Sequence, residues 1–173
     1  MRWVGDKMSE HLQKTLPQHP IAAELATFEW ALGLAFDAED VSTLTLQDLA
    51  AVPPEEWSGV MLKAHPSVQL LAFKSNVILV WQALNTEQKP PKAKKCLEPC
   101  VVWRKGLDSH YRSLENLEML ALKQVINGLT FAALCEFLQG GKVVETFTEE
   151  AAMQKAATYL SGWLNDGLLI KTI

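Results

Sequence analysis

The sequence has few cysteines, no long apolar run and none of the short motifs that mark common active sites. Its 173 residues include three cysteines. Cys96, Cys100 and Cys135 form an odd, sparse set that is typical of free thiols in a reducing compartment. No segment reaches the ~18 apolar residues of a membrane-spanning helix, and residues 1–8 lack the apolar core of a signal peptide. We therefore expect a cytoplasmic protein that does not bind a membrane.

Residues that could carry catalysis or hold a metal ion are scattered. Cys96 and Cys100 are separated by three residues rather than two, and no second Cys or His pair has zinc-finger spacing. The histidines form no H-E-x-x-H or E-x-x-H pair, and glycine-rich phosphate loops and G-x-S-x-G are absent. Glu24 and Glu29 lie five positions apart, on different faces of a helix. The sequence predicts a protein that is not an enzyme and uses no cofactor or metal.

Residues 1–88 contain helical periodicity instead. An amphipathic helix is predicted over Asp6–Leu16, and a long helix over Ile21–Phe36, where apolar side chains recur at i, i+3 and i+4. Thr45–Ala51 predicts a further short helix. Val68–Phe73 is typical of a strand, whereas Asn76–Leu84 is apolar and its periodicity leaves both strand and helix open. We predict a helical region that includes one strand near 68–73.

A stretch rich in lysine and proline, residues 89–95, is the one obvious linker. It contains two adjacent prolines and the lysines Lys89, Lys92, Lys94 and Lys95. A charged run beside prolines is typical of a solvated tether. The sequence therefore predicts a boundary at 89–95, between residues 1–88 and residues 96–173.

The C-terminal region begins with a predicted β-hairpin. Its strands lie within Cys100–Leu114 and turn at Lys105-Gly106. A helix over Leu114–Ile126 follows, and Ser113 is its predicted N-cap. This arrangement predicts a small antiparallel sheet in the second half of the chain.

Two more helices and an apolar ending follow. The second helix is predicted to start at the N-cap Thr130, and the third at the capping-box spacing Thr146-x-x-Glu149. Gly167 is placed to end the third helix in the left-handed conformation. We expect Leu168–Ile173 to form a closing strand that pairs with the hairpin and the core. The predicted fold class is α+β and mostly helical: an N-terminal helical region plus a winged-helix-like C-terminal domain with a small antiparallel sheet.

A winged-helix-like domain admits DNA binding as one function. In that mode the third helix enters the major groove and presents basic and amide side chains. Here it carries Glu149 and Glu150 against Lys155, and residues 96–173 contain 7 Lys and Arg against 9 Asp and Glu. Because phosphate contacts need clustered positive charge, DNA is the less favoured partner.

Peptide binding suits the charges better. A sheet edge beside a helix accepts an extended peptide as an added strand. We predict such a groove between the second hairpin strand and the exposed side of the third helix. Its candidate residues are Ser109, His110, Tyr111, Arg112, Ser113, Leu114, Gln154 and Thr158. The alternative is that the N-terminal region covers this edge.

Several segments resemble a known family of accessory proteins. They are Leu25-Ala-Thr-Phe-Glu-Trp-Ala-Leu32, Ala35-Phe-Asp-Ala-Glu-Asp40 and His65-Pro-Ser-Val-Gln-Leu-Leu71. They resemble the family that includes HvfC, BufC and the methanobactin-biosynthesis partner MbnC, whose members are labelled DNA-binding domains. The hairpin, the three helices and the ending Asp166-Gly-Leu-Leu169 are also similar to PqqD-like peptide-recognition elements. The resemblance extends over most of the chain and rests on diffuse helix and strand patterns.

The resemblance implies a non-catalytic accessory subunit. In such systems this subunit pairs with a TIM-barrel, multinuclear non-haem iron enzyme and presents it with the leader of a ribosomally made precursor peptide. The enzyme supplies the iron ligands and modifies cysteines of the precursor. The candidate residues for contact with the enzyme are Glu29, Trp30, Asp37, Glu39 and Asp40.

Family members usually begin with a further helical domain, to which the DNA-binding label mainly refers. We expect that this chain is a fragment or a short MbnC-like form. A recognition subunit is the first hypothesis, a winged-helix transcriptional regulator the second, and a purely structural domain the third.

Overall fold

The fold is a mostly helical α+β arrangement with small antiparallel sheets, which confirms the predicted class. The computed structural model describes residues 2–140 and 147–172. In chain order its elements are α1 (Arg2–Thr15), α2 (Pro20–Phe36), α3 (Leu46–Ala50), a 3₁₀ helix (Pro54–Gly59), β1 (Met61–Leu62), β2 (Gln69–Ser75), α4 (Val77–Asn85), β3 (Lys95–Lys105), β4 (Asp108–Ser113), α5 (Asn116–Val125), β5 (Leu129–Thr130), α6 (Phe131–Gln139) and α7 (Glu149–Asp166).

The chain divides into two compact units, and each is built from two separate segments. The sheet unit comprises Met1–Asp37 and Gln69–Leu114, and the helical unit comprises Ala38–Val68 and Glu115–Ile173. This division differs from the predicted one. Residues 89–95 lie inside the sheet unit, so they do not separate the units. The predicted grouping of the hairpin with the three C-terminal helices also differs, because the hairpin belongs to the other unit.

The sheet unit packs helices on a three-stranded antiparallel sheet of order β2-β3-β4. β3 is the central strand, and Pro99–Trp103 within it are buried on consecutive positions. A strand that is covered on both faces is expected to be apolar without alternation. Its core cluster with α2, β2 and α4 comprises Phe28, Ala31, Ala35, Phe73, Val77, Ile78, Cys100 and Val102.

The ambiguous segment after β2 is the helix α4. The Glu98 carboxylate of β3 accepts a hydrogen bond from the Ile78 backbone N–H in its first turn. An acceptor at this place satisfies one of the donors that a helix N-terminus leaves unpaired. The helical conformation of this segment therefore comes with a bond to Glu98 of β3, a distant residue that the local periodicity of the sequence cannot reveal.

Threonine residues cap three helices of the helical unit, α3 at Thr45, α6 at Thr130 and α7 at Thr148. Thr130 accepts a hydrogen bond from the Ala133 N–H at 3.2 Å, which confirms the predicted N-cap of α6. The predicted N-cap of α5 is wrong, since Glu115 occupies that position without a side-chain bond. The N-cap of α7 is Thr148, which accepts from Ala151 N–H at 3.3 Å. The predicted capping-box residue Thr146 lies outside the described residues.

The C-terminal tail is integrated into the helical unit. Gly167 ends α7 with φ of 75°, and the N–H of Leu168 donates to the Trp163 carbonyl at 2.8 Å, as in a Schellman motif. Leu169 and Ile170 then form antiparallel bridges to Ala64 and Thr43. The tail is therefore a bridged segment, as predicted, but its partners are two inner segments of the helical unit. The predicted pairing with the hairpin is corrected.

Candidate peptide-binding edge of the sheet

The hairpin that carries the candidate residues turns one position after the predicted Lys105-Gly106. Lys105 pairs with Asp108, so the loop contains two residues, Gly106 and Leu107. Gly106 has φ of 65°, the left-handed conformation that glycine adopts without a steric penalty. A glycine at the first loop position is typical of a type II′ turn, whose twist matches that of paired strands. The turn thus fixes the register of β4 on β3.

β4 is an edge strand, and alternation decides which of its backbone groups face outward. The Leu114 N–H donates to the Pro99 carbonyl of β3 at 2.8 Å. Since backbone direction alternates along a strand, His110 and Arg112 also point toward β3. Ser109 and Tyr111 therefore direct their N–H and C=O groups away from the sheet. In the part of the chain that the structure describes, no backbone hydrogen bond reaches these outward groups.

The side chains of the outward-facing pair anchor the edge from inside the sheet unit. The Ser109 hydroxyl donates to the Leu32 carbonyl of α2 at 2.9 Å. The Tyr111 ring makes edge-to-face contacts with Phe28 and Trp81, with centroids 5.1 and 5.5 Å away. Gln82 donates to its hydroxyl at 3.1 Å. The open backbone of β4 is consequently held by a rigid aromatic core.

The other candidate residues of the hairpin differ in their exposure to solvent. His110 is exposed and stacks on Trp103 with centroids 5.6 Å apart. Ser113 is exposed, Arg112 is half-buried, and Leu114 is buried at 7% exposure. Leu114 therefore belongs to the packing, and the main chain is the part of this edge best placed to bind.

The remaining two peptide-binding candidates lie on α7. Gln154 and Thr158 are exposed, and the Thr158 hydroxyl donates to the Gln154 carbonyl at 2.8 Å. Both belong to the helical unit, whereas β4 belongs to the sheet unit. The structure therefore does not bring the predicted groove together within one unit.

The predicted enzyme-contact residues are divided in the same way. Asp37 closes the first segment of the sheet unit, while Glu39 and Asp40 belong to the helical unit. Trp30 is engaged inside the sheet unit, because its indole N–H donates to Asp6 of α1 at 2.8 Å. A Cβ added at Gly5 would lie 2.1 Å from the Trp30 ring, so glycine permits this close approach of α1 to α2.

Two members of this set, Glu29 and Trp30, lie beside a concave surface. Glu29 is exposed, and both line a hollow of about 220 Å³ between α1 and α2, together with Gly5, Met8 and Ala26. The hollow is shallow and mostly apolar in its lining residues.

Two of the three cysteines, Cys100 and Cys135, have thiols whose pKa is raised. Burial raises the pKa of the Cys100 thiol to about 12, and the nearby Glu98 carboxylate adds to the shift. Burial also raises the pKa of the Cys135 thiol. Only the thiolate reacts readily, so burial lowers the reactivity of both thiols. Cys96 is exposed on β3.

Within residues 2–140 and 147–172, no three His, Cys, Asp or Glu residues lie close enough together to hold a metal ion. Within the same ranges no helix combines the length and the apolar character needed to cross a bilayer.

The lysine-containing stretch before β3 makes hydrogen bonds that the sequence does not predict. Asn76 is buried, and its Oδ1 accepts a hydrogen bond from the Lys94 N–H at 2.7 Å. Its Nδ2 donates to the Lys92 carbonyl at 3.2 Å. Asn76 at the start of the apolar segment 76–84 is the sequence signal for this contact, because a buried amide needs hydrogen-bond partners. The segment is held in place and is not the predicted tether.

Comparison with known proteins gives no assignment. The chain matches no protein-family model, and no curated protein matches it. Its resemblance to the accessory-protein family stays a prediction that rests on the segments quoted above.

Proposed function

We propose that the chain is a non-catalytic recognition subunit that binds an extended precursor peptide along β4 and presents it to a multinuclear non-haem iron enzyme. The observation that carries the peptide part is the open edge of β4, where the outward groups of Ser109 and Tyr111 have no backbone partner among the described residues. The enzyme part rests on the resemblance of the sequence to accessory proteins.

Binding at this edge would rely on the main chain. Each net hydrogen bond in water contributes about 0.5–1.5 kcal/mol, and Ser109 and Tyr111 together offer two donors and two acceptors. An added strand also orders the peptide, which opposes binding. Because Tyr111 and Ser109 are already held by α2 and α4, little ordering of the protein itself is needed. We expect an affinity in the micromolar range for a peptide that adds as one short strand.

The arrangement of α7 favours a peptide over DNA as the partner. Lys155, the one basic residue of α7, donates to Glu115 at 3.1 Å and lies 5.0 Å from the centre of the Tyr159 ring. Glu149 and Glu150 occupy the first turn and are exposed. A helix that enters the major groove needs available cationic or amide side chains. The DNA alternative therefore receives no support from this helix.

The genomic neighbourhood and a matched pair of variants test the proposal. The gene is expected to lie beside genes for an iron enzyme and a Cys-containing precursor, and the purified chain is titrated with the labelled leader of that precursor. Ser109→Ala removes only the side-chain bond to Leu32, whereas Ser109→Pro also removes the outward N–H without breaking the β3 ladder. We expect Ser109→Ala to bind nearly as wild type and Ser109→Pro to bind about ten-fold more weakly.

Two results contradict the proposal. One is the absence of binding between the wild-type chain and the leader at micromolar concentrations. The other is equal affinity of Ser109→Ala and Ser109→Pro, which would show that the edge N–H makes no contact with the peptide. Thermal unfolding of both variants checks that the proline leaves the sheet unit folded.

A further inference from the structure

The sheet unit concentrates positive charge in one segment. Residues 69–114 contain 8 Lys and Arg against 3 Asp and Glu, a formal charge of +5 in a chain whose net charge is −4. Five of these cations are lysines that fall between residues 74 and 95. They are all exposed: Lys74, Lys89, Lys92, Lys94 and Lys95. Such an excess creates a local field that attracts anions.

Hydrogen bonds to Asn76 hold the lysine segment against the start of α4. The Asn76 side chain bonds the backbone of Lys92 and Lys94, and the Asn76 N–H donates to the Lys94 carbonyl at 3.2 Å. The backbone of both Lys92 and Lys94 is thus bonded to one buried residue, which is 7% exposed. A surface that is ordered before binding loses less entropy when a ligand arrives.

A β-bulge continues this surface into β3. The register passes from Phe73–Glu98 to Ser75–Lys95, so Cys96 and Leu97 together oppose the single residue Lys74. Glu24 of α2 accepts a hydrogen bond from the Lys74 N–H at 2.7 Å, which fixes the opposite side of the bulge. Leu97 is 66% exposed. Bulges redirect side chains and are common near binding sites.

We infer that Lys74, Lys92, Lys94, Lys95 and Leu97, the basic bulge surface, bind an acidic peptide in extended conformation. Four ammonium groups complement carboxylates, and the exposed leucine offers an apolar contact. The inference goes beyond the proposed function, since it assigns a second surface outside β4 and names the charge of its ligand.

The chemistry of the surface favours a peptide over a nucleic acid. Single-stranded nucleic acids are held by aromatic side chains on which bases stack, and duplexes by Lys and Arg contacts to phosphates together with Arg, Lys, Asn or Gln contacts to base edges. The basic bulge surface contains neither an arginine nor an aromatic residue. Lysine is a flexible point charge that suits carboxylates of varied geometry. A peptide also has apolar side chains that can meet Leu97.

A charge-matched pair of double variants tests the inference. Lys92→Glu/Lys94→Glu reverses two charges of the surface, and Lys63→Glu/Lys123→Glu reverses two exposed lysines of the helical unit. Both change the net charge equally. The probe is a labelled peptide of about 12 residues that alternates glutamate and valine. We expect Lys92→Glu/Lys94→Glu to lose about ten-fold in affinity, and Lys63→Glu/Lys123→Glu to lose little.

Four outcomes decide the matter. A loss confined to Lys92→Glu/Lys94→Glu supports the inference. Equal affinity of the two double variants overturns it, as does the absence of binding to the wild-type chain. Tighter binding of a duplex DNA of equal length, with the steep salt dependence of phosphate contacts, also overturns it. Because Ser109 lies outside this surface, Ser109→Pro keeps its affinity for the acidic probe, so failure here is distinct from failure of the β4 proposal.

Discussion

The sheet unit and the helical unit differ in how completely the backbone of their extended segments is hydrogen-bonded. In the sheet unit, β4 leaves the backbone groups of Ser109 and Tyr111 without backbone partners among the described residues. In the helical unit, the tail is bonded on both sides: Leu169 accepts from the Leu44 N–H at 2.9 Å, and Ile170 donates to the Lys63 carbonyl at 3.0 Å. An open edge is a liability unless it is used. The proposed recognition therefore lies on the sheet unit, whereas the tail is part of the packed structure of the helical unit.

The two units also carry formal charges of opposite sign. The sheet unit contains 11 Lys and Arg against 8 Asp and Glu, a formal charge of +3, and the helical unit contains 5 against 12, a charge of −7. The overall value of −4 hides this contrast. A partner that is selected by charge distinguishes the units, since an acidic peptide is attracted to the first and repelled by the second. The net charge of the whole chain, −4, predicts only weak attraction of an acidic peptide, although the sheet unit is positive.

Removal of the tail is the change with the largest expected effect. Leu168 and Leu169 are both fully buried, and each lost leucine of this kind costs about 2–5 kcal/mol. Deletion of residues 168–173 is therefore expected to remove a share of stability comparable to that of a whole small domain. Urea unfolding and amide exchange measure the effect, with loss of protection expected in α5, α6 and α7.

A core truncation in the sheet unit provides the matched contrast. Phe28 is fully buried and contacts Phe73, Trp81 and Tyr111 edge-to-face, so Phe28→Ala is expected to reduce protection first in β2, β3 and β4. If the tail deletion unfolds with the same midpoint as the full chain, the tail does not stabilise the helical unit and this interpretation of its packing is wrong.

A smaller effect is expected from the ion pair that links the tail to α3. Lys171 donates to Asp48 at 2.6 Å, and with hydrogen bonds from Thr45 it lowers the Asp48 pKa from 3.8 to about 2. A lowered pKa contributes stability above the unfolded value, and this contribution disappears as pH falls toward about 2. In Lys171→Ala the pKa rises toward its ordinary value, so the acid-induced loss of stability in this window becomes smaller.

Thermal unfolding between pH about 4 and about 2 measures this difference. Lys63→Ala, an exposed lysine of the same unit, is the control and should behave as wild type. An unchanged pH dependence in Lys171→Ala would show that Lys171 does not set the Asp48 pKa.

Local chemistry made several elements predictable from the sequence. The stripe of α2, the loop glycine Gly106, the N-cap Thr130 and the left-handed cap Gly167 each depend on neighbours within a few residues. Gly106, Thr130 and Gly167 occur where the sequence predicts them. The stripe of α2 is confirmed only in part, because Phe28 and Ala35 are buried whereas Phe36 is 53% exposed. The α5 cap failed because the chain continues in extended form to Glu115 before the helix begins.

Strand partners could not be predicted in the same way. The apolar run Cys100–Trp103 fits a strand with neighbours on both sides, but no local pattern states that β2 is the second neighbour. The tail likewise pairs with segments more than a hundred residues earlier in the chain, at Thr43 and Ala64. Such choices depend on the whole core and on loop closure. The candidate groove was divided between units for this reason, whereas its β4 half was placed correctly on an edge.

Amide exchange at the four central residues of β4 tests the central claim most directly. In the free chain, the outward N–H groups of Ser109 and Tyr111 should exchange rapidly, and the inward N–H groups of His110 and Arg112 should be protected by β3. On addition of the precursor leader, we expect protection to appear at Ser109 and Tyr111 while His110 and Arg112 change little. Protection of Ser109 and Tyr111 already in the free chain, or unchanged exchange with the peptide bound, would contradict recognition at this edge.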